Sequence, residues 1–101
     1  HTRLMLRKNI LYTYVIRRYK YMTYSSVIIY RITYLCKQQN ITVNKLATLS
    51  GITQSTLSNL MQGNTKNPKL KTLHKIATGF GMTLSQFLDF PEMNETVFED
   101  E

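Results

Sequence analysis

Apolar residues recur at three- and four-residue intervals from about residue 24 to residue 90, the spacing of one face of an α-helix. Ile28, Ile32, Leu35 and Cys36 set such a face for a first helix. Ser25 or Ser26 is its expected cap, and Asn40, which tolerates the left-handed conformation, its expected stop. Thr42 then caps a short second helix carrying Leu46 and Ala47, which Gly51 breaks. Thr53 caps a third helix carrying Leu57, Leu60 and Met61, and Gly63 stops it. After a loop from Asn64 to Pro68, the residues Leu70, Leu73, Ile76 and Ala77 mark the buried face of a fourth helix, closed by Gly79 or Gly81. Thr83 caps a fifth with Leu84, Phe87 and Leu88, and Pro91 is expected to end it. The pattern predicts an all-α fold: a five-helix domain over residues 24–91, an extension before it (residues 1–23) and an acidic tail after it (92–101).

The extension differs in kind. Tyr12, Tyr14, Tyr19 and Tyr21 alternate in part and stand among arginines and lysines, which suits a strand or an irregular arm. Interleaved aromatic and basic residues can stack on nucleic acid; the plainer reading is an extension with no role. The helical pattern starts directly after Met22, the expected natural start of the chain.

At 101 residues, 43% of them hydrophobic, the chain has room for one domain with one modest core. A single cysteine, Cys36, leaves no internal disulfide and no cysteine-rich zinc site, and is read as a small buried apolar residue. That usage fits a reducing cytoplasm. No apolar run is long enough for a membrane span, and the basic N-terminal region lacks the pattern of a secretory signal. No membrane partner is expected.

Charge changes the picture more than composition does. All thirteen Lys and Arg residues lie at or before Lys75, and all six acids lie at or after Asp89. Residues 1–88 therefore carry thirteen positive side chains and no negative ones, and the net charge of +7 is reached only through the six acids from Asp89 onward. An acid-free surface favours a polyanion, above all nucleic acid, with an anionic membrane surface or simple solvation as rivals. The same distribution argues against an enzyme. Without a carboxylate before Asp89, acid–base pairs and carboxylate metal sites are missing from the domain. His1 and His74 are the only histidines, and no phosphate loop or dinucleotide fingerprint is present. No catalytic residues, metal or cofactors are expected.

The informative stretch is VNKLATLSGITQSTLSNLMQ, Val43 to Gln62. Two short helices joined by a tight turn at a steep angle need a small residue where they meet, supplied by Ala47, and a turn residue free to take positive φ, supplied by Gly51. Leu57 and Leu60 anchor the second of them inward, and Ile52 closes the turn. The 3.6-residue period then turns Gln54, Ser55, Ser58, Asn59 and Gln62 outward. An ordinary solvated face carries more Glu, Lys and Arg; short amides and hydroxyls suit base edges, and Asn or Gln can pair with adenine.

These residues, with NTKNPKLKTLHKIATGFGMTLSQFL after them, resemble the Cro and CI-type helix-turn-helix regulators of phages and bacteria, the xenobiotic-response-element family, over about residues 25–90. The resemblance implies a lambda-repressor-like fold whose third helix, 54–61, enters the major groove of double-stranded DNA, and dimers that span two half-sites. By position it puts Gln54, Ser55 and Asn59 on bases, with Thr53 and Ser58 in reach. It puts Lys66, Asn67 and Lys69 on phosphates, with Lys71 and Lys75 either extending that grip or forming a solvated helix face; Thr42, Asn44 and Gln62 are the further candidates for phosphate contact. Arg31, Lys37 and Lys45 are read as general basic surface. Two departures stand out. Many members have a phosphate-binding Gln where this chain has Val43. Some pair a buried Arg with a Glu where it has Cys36 and Met61, which are expected to meet as apolar partners.

The function implied is a transcriptional regulator, most simply a repressor acting as a homodimer on an operator with dyad symmetry, in the cytoplasm of a bacterium or of a phage's host, on the nucleoid. Phe87, Leu88 and Phe90 are candidates for a dimer surface on the fifth helix, or else they close the core. Two alternatives keep the fold. One is an antitoxin whose tail, with Phe98 among Glu95, Glu99 and Asp100, holds a small protein partner. The other is a protein-interaction adaptor that no longer binds DNA, which Val43 favours and the acid-free surface opposes.

Overall fold

The structure is a computed structural model, and it describes residues 23–95. The expectations for Tyr12, Tyr14, Tyr19, Tyr21, Met22 and Phe98 lie outside the described residues. Six helices follow one another: α1 (Tyr24–Gln39), α2 (Val43–Ser50), α3 (Gln54–Met61), α4 (Leu70–Gly79), α5 (Leu84–Leu88) and α6 (Pro91–Glu95).

Most starts are made by threonine. Thr42, Thr53 and Thr83 each sit in extended conformation and accept a backbone N–H from the first turn of α2, α3 and α5, removing an orphan donor there. At Thr83 the arrangement is reciprocal, because the Gln86 side chain accepts from the Thr83 N–H at 2.9 Å. The start of α1 differs from expectation. Thr23 is the cap, accepting from the Ser26 N–H at 3.1 Å, while Ser25 is buried inside the first turn. Asn40 ends α1 at φ 57°, as its tolerance of that region implies.

The core is the stripe read from the sequence. Ile28, Ile32, Leu35 and Cys36 of α1 meet Leu46 and Ala47 of α2, Leu57 and Leu60 of α3, Leu73, Ile76 and Ala77 of α4, and Phe80 and Phe87. The rings of Phe80 and Phe87 stack with centroids 6.2 Å apart. Met61 packs half-buried on the same cluster that contains Cys36. Burial pushes the Cys36 thiol above its ordinary pKa and keeps it protonated.

Three features depart from the pattern, those of Leu70, Pro91 and Arg31, and at the fifth helix one of two open alternatives is met. Leu70, expected inside, is 64% exposed, because α4 begins at that residue and its inward face is set by Leu73, Ile76 and Ala77. Pro91 opens a further helix instead of ending α5: proline suits a first helical position, where its missing N–H is not needed. Phe87 and Phe90 are buried within the chain and Leu88 half-buried, so this segment closes the core and offers no broad apolar face for a second copy. Arg31 is not general surface. Its Nε donates to the Phe87 carbonyl at 2.8 Å, its Nη2 to the Gln86 carbonyl at 2.9 Å, and its guanidinium lies 4.7 Å from the centre of the Phe90 ring. It thereby satisfies two carbonyls at the end of α5 and fastens that end to α1.

The crossing of α2 and α4 depends on Gly79. A Cβ there would run into Ser50 Oγ and lie within 3.2 Å of the Ser50 backbone. Ser50 is itself buried, and its hydroxyl finds no partner among the described residues, so the approach is a matter of volume alone. Gly79→Ala should therefore destabilise the domain by about 1–3 kcal/mol through overpacking, although alanine in an open helix position would be favoured by about 1 kcal/mol. Urea unfolding measures this, and an unchanged or higher midpoint would mean that the two helices can separate freely.

Candidate nucleic-acid interface

The site is built by the α2–turn–α3 unit. Gly51 ends α2 at φ 70°, a conformation that costs side-chain-bearing residues dearly, and the Ile52 N–H returns to the Ala47 carbonyl at 3.2 Å. The chain therefore turns within three residues, and Thr53 starts α3. Buried Ala47 allows the two helices to approach, while Leu57 and Leu60 pin α3 to the core. With its inward positions so committed, α3 turns Gln54, Ser55, Ser58 and Asn59 to solvent, and Gln62 just after it is also exposed.

These side chains fall into two groups. Gln54, Ser55 and Asn59 make no side-chain hydrogen bond among the described residues. The others are engaged locally. Thr53 is exposed, but its hydroxyl accepts from the Thr56 N–H and donates to Thr56 Oγ1 at 2.9 Å, which ties it to capping. Ser58 accepts from Gln62 Nε2 at 3.0 Å.

The candidate phosphate contacts border this face in the chain. Thr42 is exposed at the start of α2 and accepts from the Lys45 N–H at 3.0 Å, which leaves its own hydrogen to donate; Asn44 beside it is exposed as well. Val43 packs half-buried against the core. The position thus serves as an apolar anchor for α2, with polar Thr42 and Asn44 on either side. Lys66, Asn67, Lys69 and Lys71 are all exposed in the loop after α3 and the first turn of α4. Lys69 caps α4 without a side-chain hydrogen bond to its backbone. Exposed Leu70 sits between Lys69 and Lys71. Lys75 is exposed farther along α4, as is His74.

No acidic side chain occurs between Val43 and Gly79, so the potential across these elements has one sign. Among the described residues no group of three or more potential metal ligands comes together, and no helix is long and apolar enough to cross a membrane. The sequence reading overlooked Asn64, treated as plain loop, and Arg31. A signal for Arg31 existed in its spacing, three residues after Ile28 and four before Leu35, which puts it at the edge of the buried stripe.

Comparison with known proteins gives the arrangement a family. The model of the Cro/C1-type helix-turn-helix DNA-binding domain matches residues 31–92. The HTH-type transcriptional regulator PuuR of Escherichia coli K12 is 34% identical over 62 residues, as is its counterpart from Shigella flexneri. Each alignment covers 61% of this chain and 33% of the relative, so the chain spans about a third of the length of these regulators. Among solved structures, prophage Lp1 protein 11 superposes with a TM-score of 0.65 at 34% identity, over 72% of this chain and 96% of that one. From the cap-and-turn geometry, the core it serves and these matches, the chain belongs to the Cro/C1-type helix-turn-helix family of DNA-binding domains.

Proposed function

We propose that this domain is the DNA-reading part of a homodimeric transcriptional regulator, acting as a repressor by occupying an operator in the cytoplasm. Helix α3 enters the major groove. Gln54, Ser55 and Asn59 contact base edges, Ser58 adds a hydroxyl, and Thr53, held by its cap, stands at the margin. Thr42, Asn44, Gln62, Lys66, Asn67, Lys69 and Lys71 contact phosphates and set the register of the protein on the duplex. The domain binds and does not catalyse.

The observation that carries this reading is the outer face of α3: exposed, uncharged amides and hydroxyls on a helix pinned from behind by Leu57 and Leu60. A face built only for solubility would carry charge. A face with no negative charge around it, next to exposed lysines, meets a phosphate backbone without repulsion. The name of PuuR, an HTH-type transcriptional regulator, supports the same role for a chain that matches a third of its length.

In-vitro selection of duplexes from a random pool tests the proposal. A shared sequence with dyad symmetry is the expected result; recovery of unrelated sequences would refute base reading. Two substitutions separate the contributions. Asn59→Ala should remove discrimination at one base pair of each half-site, worth about 1–3 kcal/mol against the wrong base, while binding to arbitrary DNA persists. Lys66→Ala should weaken all duplexes to a similar degree. Competition binding with operator and mismatched duplexes reads both effects, and equal losses in the two variants would contradict the assignment.

A further inference from the structure

Ser58 and Gln62 are linked in a relay with a direction. Gln62 Nε2 donates to Ser58 Oγ at 3.0 Å, one turn back along the chain, and Asn64 Nδ2 donates to Gln62 Oε1 at 3.4 Å. The backbone brings Asn64 to that place. After α3 the chain turns through Gly63, and the Asn64 N–H donates to the Asn59 carbonyl at 3.0 Å. An amide nitrogen can only donate and an amide oxygen only accept. Gln62 therefore spends its acceptor on Asn64 and a donor on Ser58. The hydroxyl oxygen of Ser58 accepts, and its own hydrogen makes no bond among the described residues. A hydroxyl that already accepts becomes a stronger donor, because each bond in a chain polarises the next.

We infer that the Asn64–Gln62–Ser58 relay presents Ser58 to DNA as a hydrogen-bond donor, so that the base facing it is selected for an acceptor on its major-groove edge. Resting on the reading of α3 as the base-contacting helix, this makes Asn64 a positioning residue for sequence preference. The bases that qualify are guanine and adenine through N7, guanine also through O6, and thymine through O4. Cytosine offers its amino donor at that edge and is disfavoured. Gln54, Ser55 and Asn59 carry no such bias, since nothing within the described chain orients them.

The test is selection from a random duplex pool with the full chain and its Ser58→Ala, Gln62→Glu and Asn64→Ala variants, each checked for folding by circular dichroism. All three side chains are exposed. Ser58→Ala identifies the base pair concerned, because preference flattens there. In the wild type, cytosine should be depleted at that position by up to about tenfold, the range of one neutral hydrogen bond. Gln62→Glu replaces the donor by an acceptor, so the Ser58 hydrogen turns inward and its oxygen faces the base; the depletion of cytosine should vanish or reverse. Asn64→Ala leaves both other side chains in place and should flatten the same position alone, whereas a merely structural role would weaken every duplex together.

A wild-type preference for cytosine at the Ser58 position would mean a relay of opposite polarity and overturn the inference. So would a preference there that survives Gln62→Glu and Asn64→Ala unchanged, or a Ser58→Ala variant that alters no position; in both cases the major-groove reading stands. A wild type that selects no shared sequence overturns that reading and the relay with it.

Discussion

Phe87→Ala should leave much of the domain unfolded at physiological temperature. Phe87 is fully buried and is among the largest side chains in the core, stacked on Phe80 and packed with residues from α1 to α4. Truncating such a ring costs about 3–5 kcal/mol, from lost transfer energy and from the cavity left behind. A domain of this size holds only about 5 kcal/mol or somewhat more in total. At about 4–8 °C per kcal/mol, the melting temperature should fall by roughly 15–30 °C. The carbonyl of Phe87 remains available to Arg31 in the variant, so the loss measures packing and not that hydrogen bond. Thermal unfolding followed by circular dichroism reads the outcome. A drop of less than about 5 °C, worth only about 1 kcal/mol, would mean that the C-terminal helices contribute little to the core.

DNA affinity should fall about a thousandfold when monovalent salt is raised from 50 to 200 mM. Each lysine that neutralises a phosphate releases a counterion, which gives a slope of about −0.9 per contact in a plot of log affinity against log salt. Lys66, Lys69 and Lys71 are the charged members of the proposed phosphate set, and a dimer presents each of them twice. That yields a slope of about −5, and a fourfold rise in salt then costs about three decades. The acids do not soften this locally, because none occurs between Val43 and Gly79. Fluorescence anisotropy with a labelled duplex over a salt series provides the slope. A value near −2 or −3 would point to monomeric binding or to fewer lysines in contact, and replacing each lysine by alanine should reduce the slope by about two in a dimer.

Five of the six helices and the outward face of α3 are legible in the residues alone, and for a local reason. Thr42, Thr53 and Thr83 act on N–H groups three residues away, Gly51 and Asn40 supply a backbone conformation that their neighbours cannot, and the burial of Ile28, Ile32, Leu35 and Cys36 repeats with the helix period. Where two local signals competed, sequence alone chose wrongly. Ser25 and Ser26 were credible caps, but Thr23 took the role, and Pro91 can stop a helix or start one.

What only the tertiary structure decided involves partners far apart in the chain. The guanidinium of Arg31 meets a carbonyl 56 residues away, and no pattern near Arg31 names that acceptor. Leu70 fits the helical period yet is exposed, because which end of a helix reaches the core depends on how α2 and α4 cross, and that crossing rests on the contact of Gly79 with Ser50. Phe87 and Phe90 were equally suited to a core or to an interface until Phe80, Arg31 and the other helices were seen to cover them. Hydrogen-bonding and conformational preferences within one helical turn are written in consecutive residues, whereas volume and solvent exposure belong to the whole packed chain.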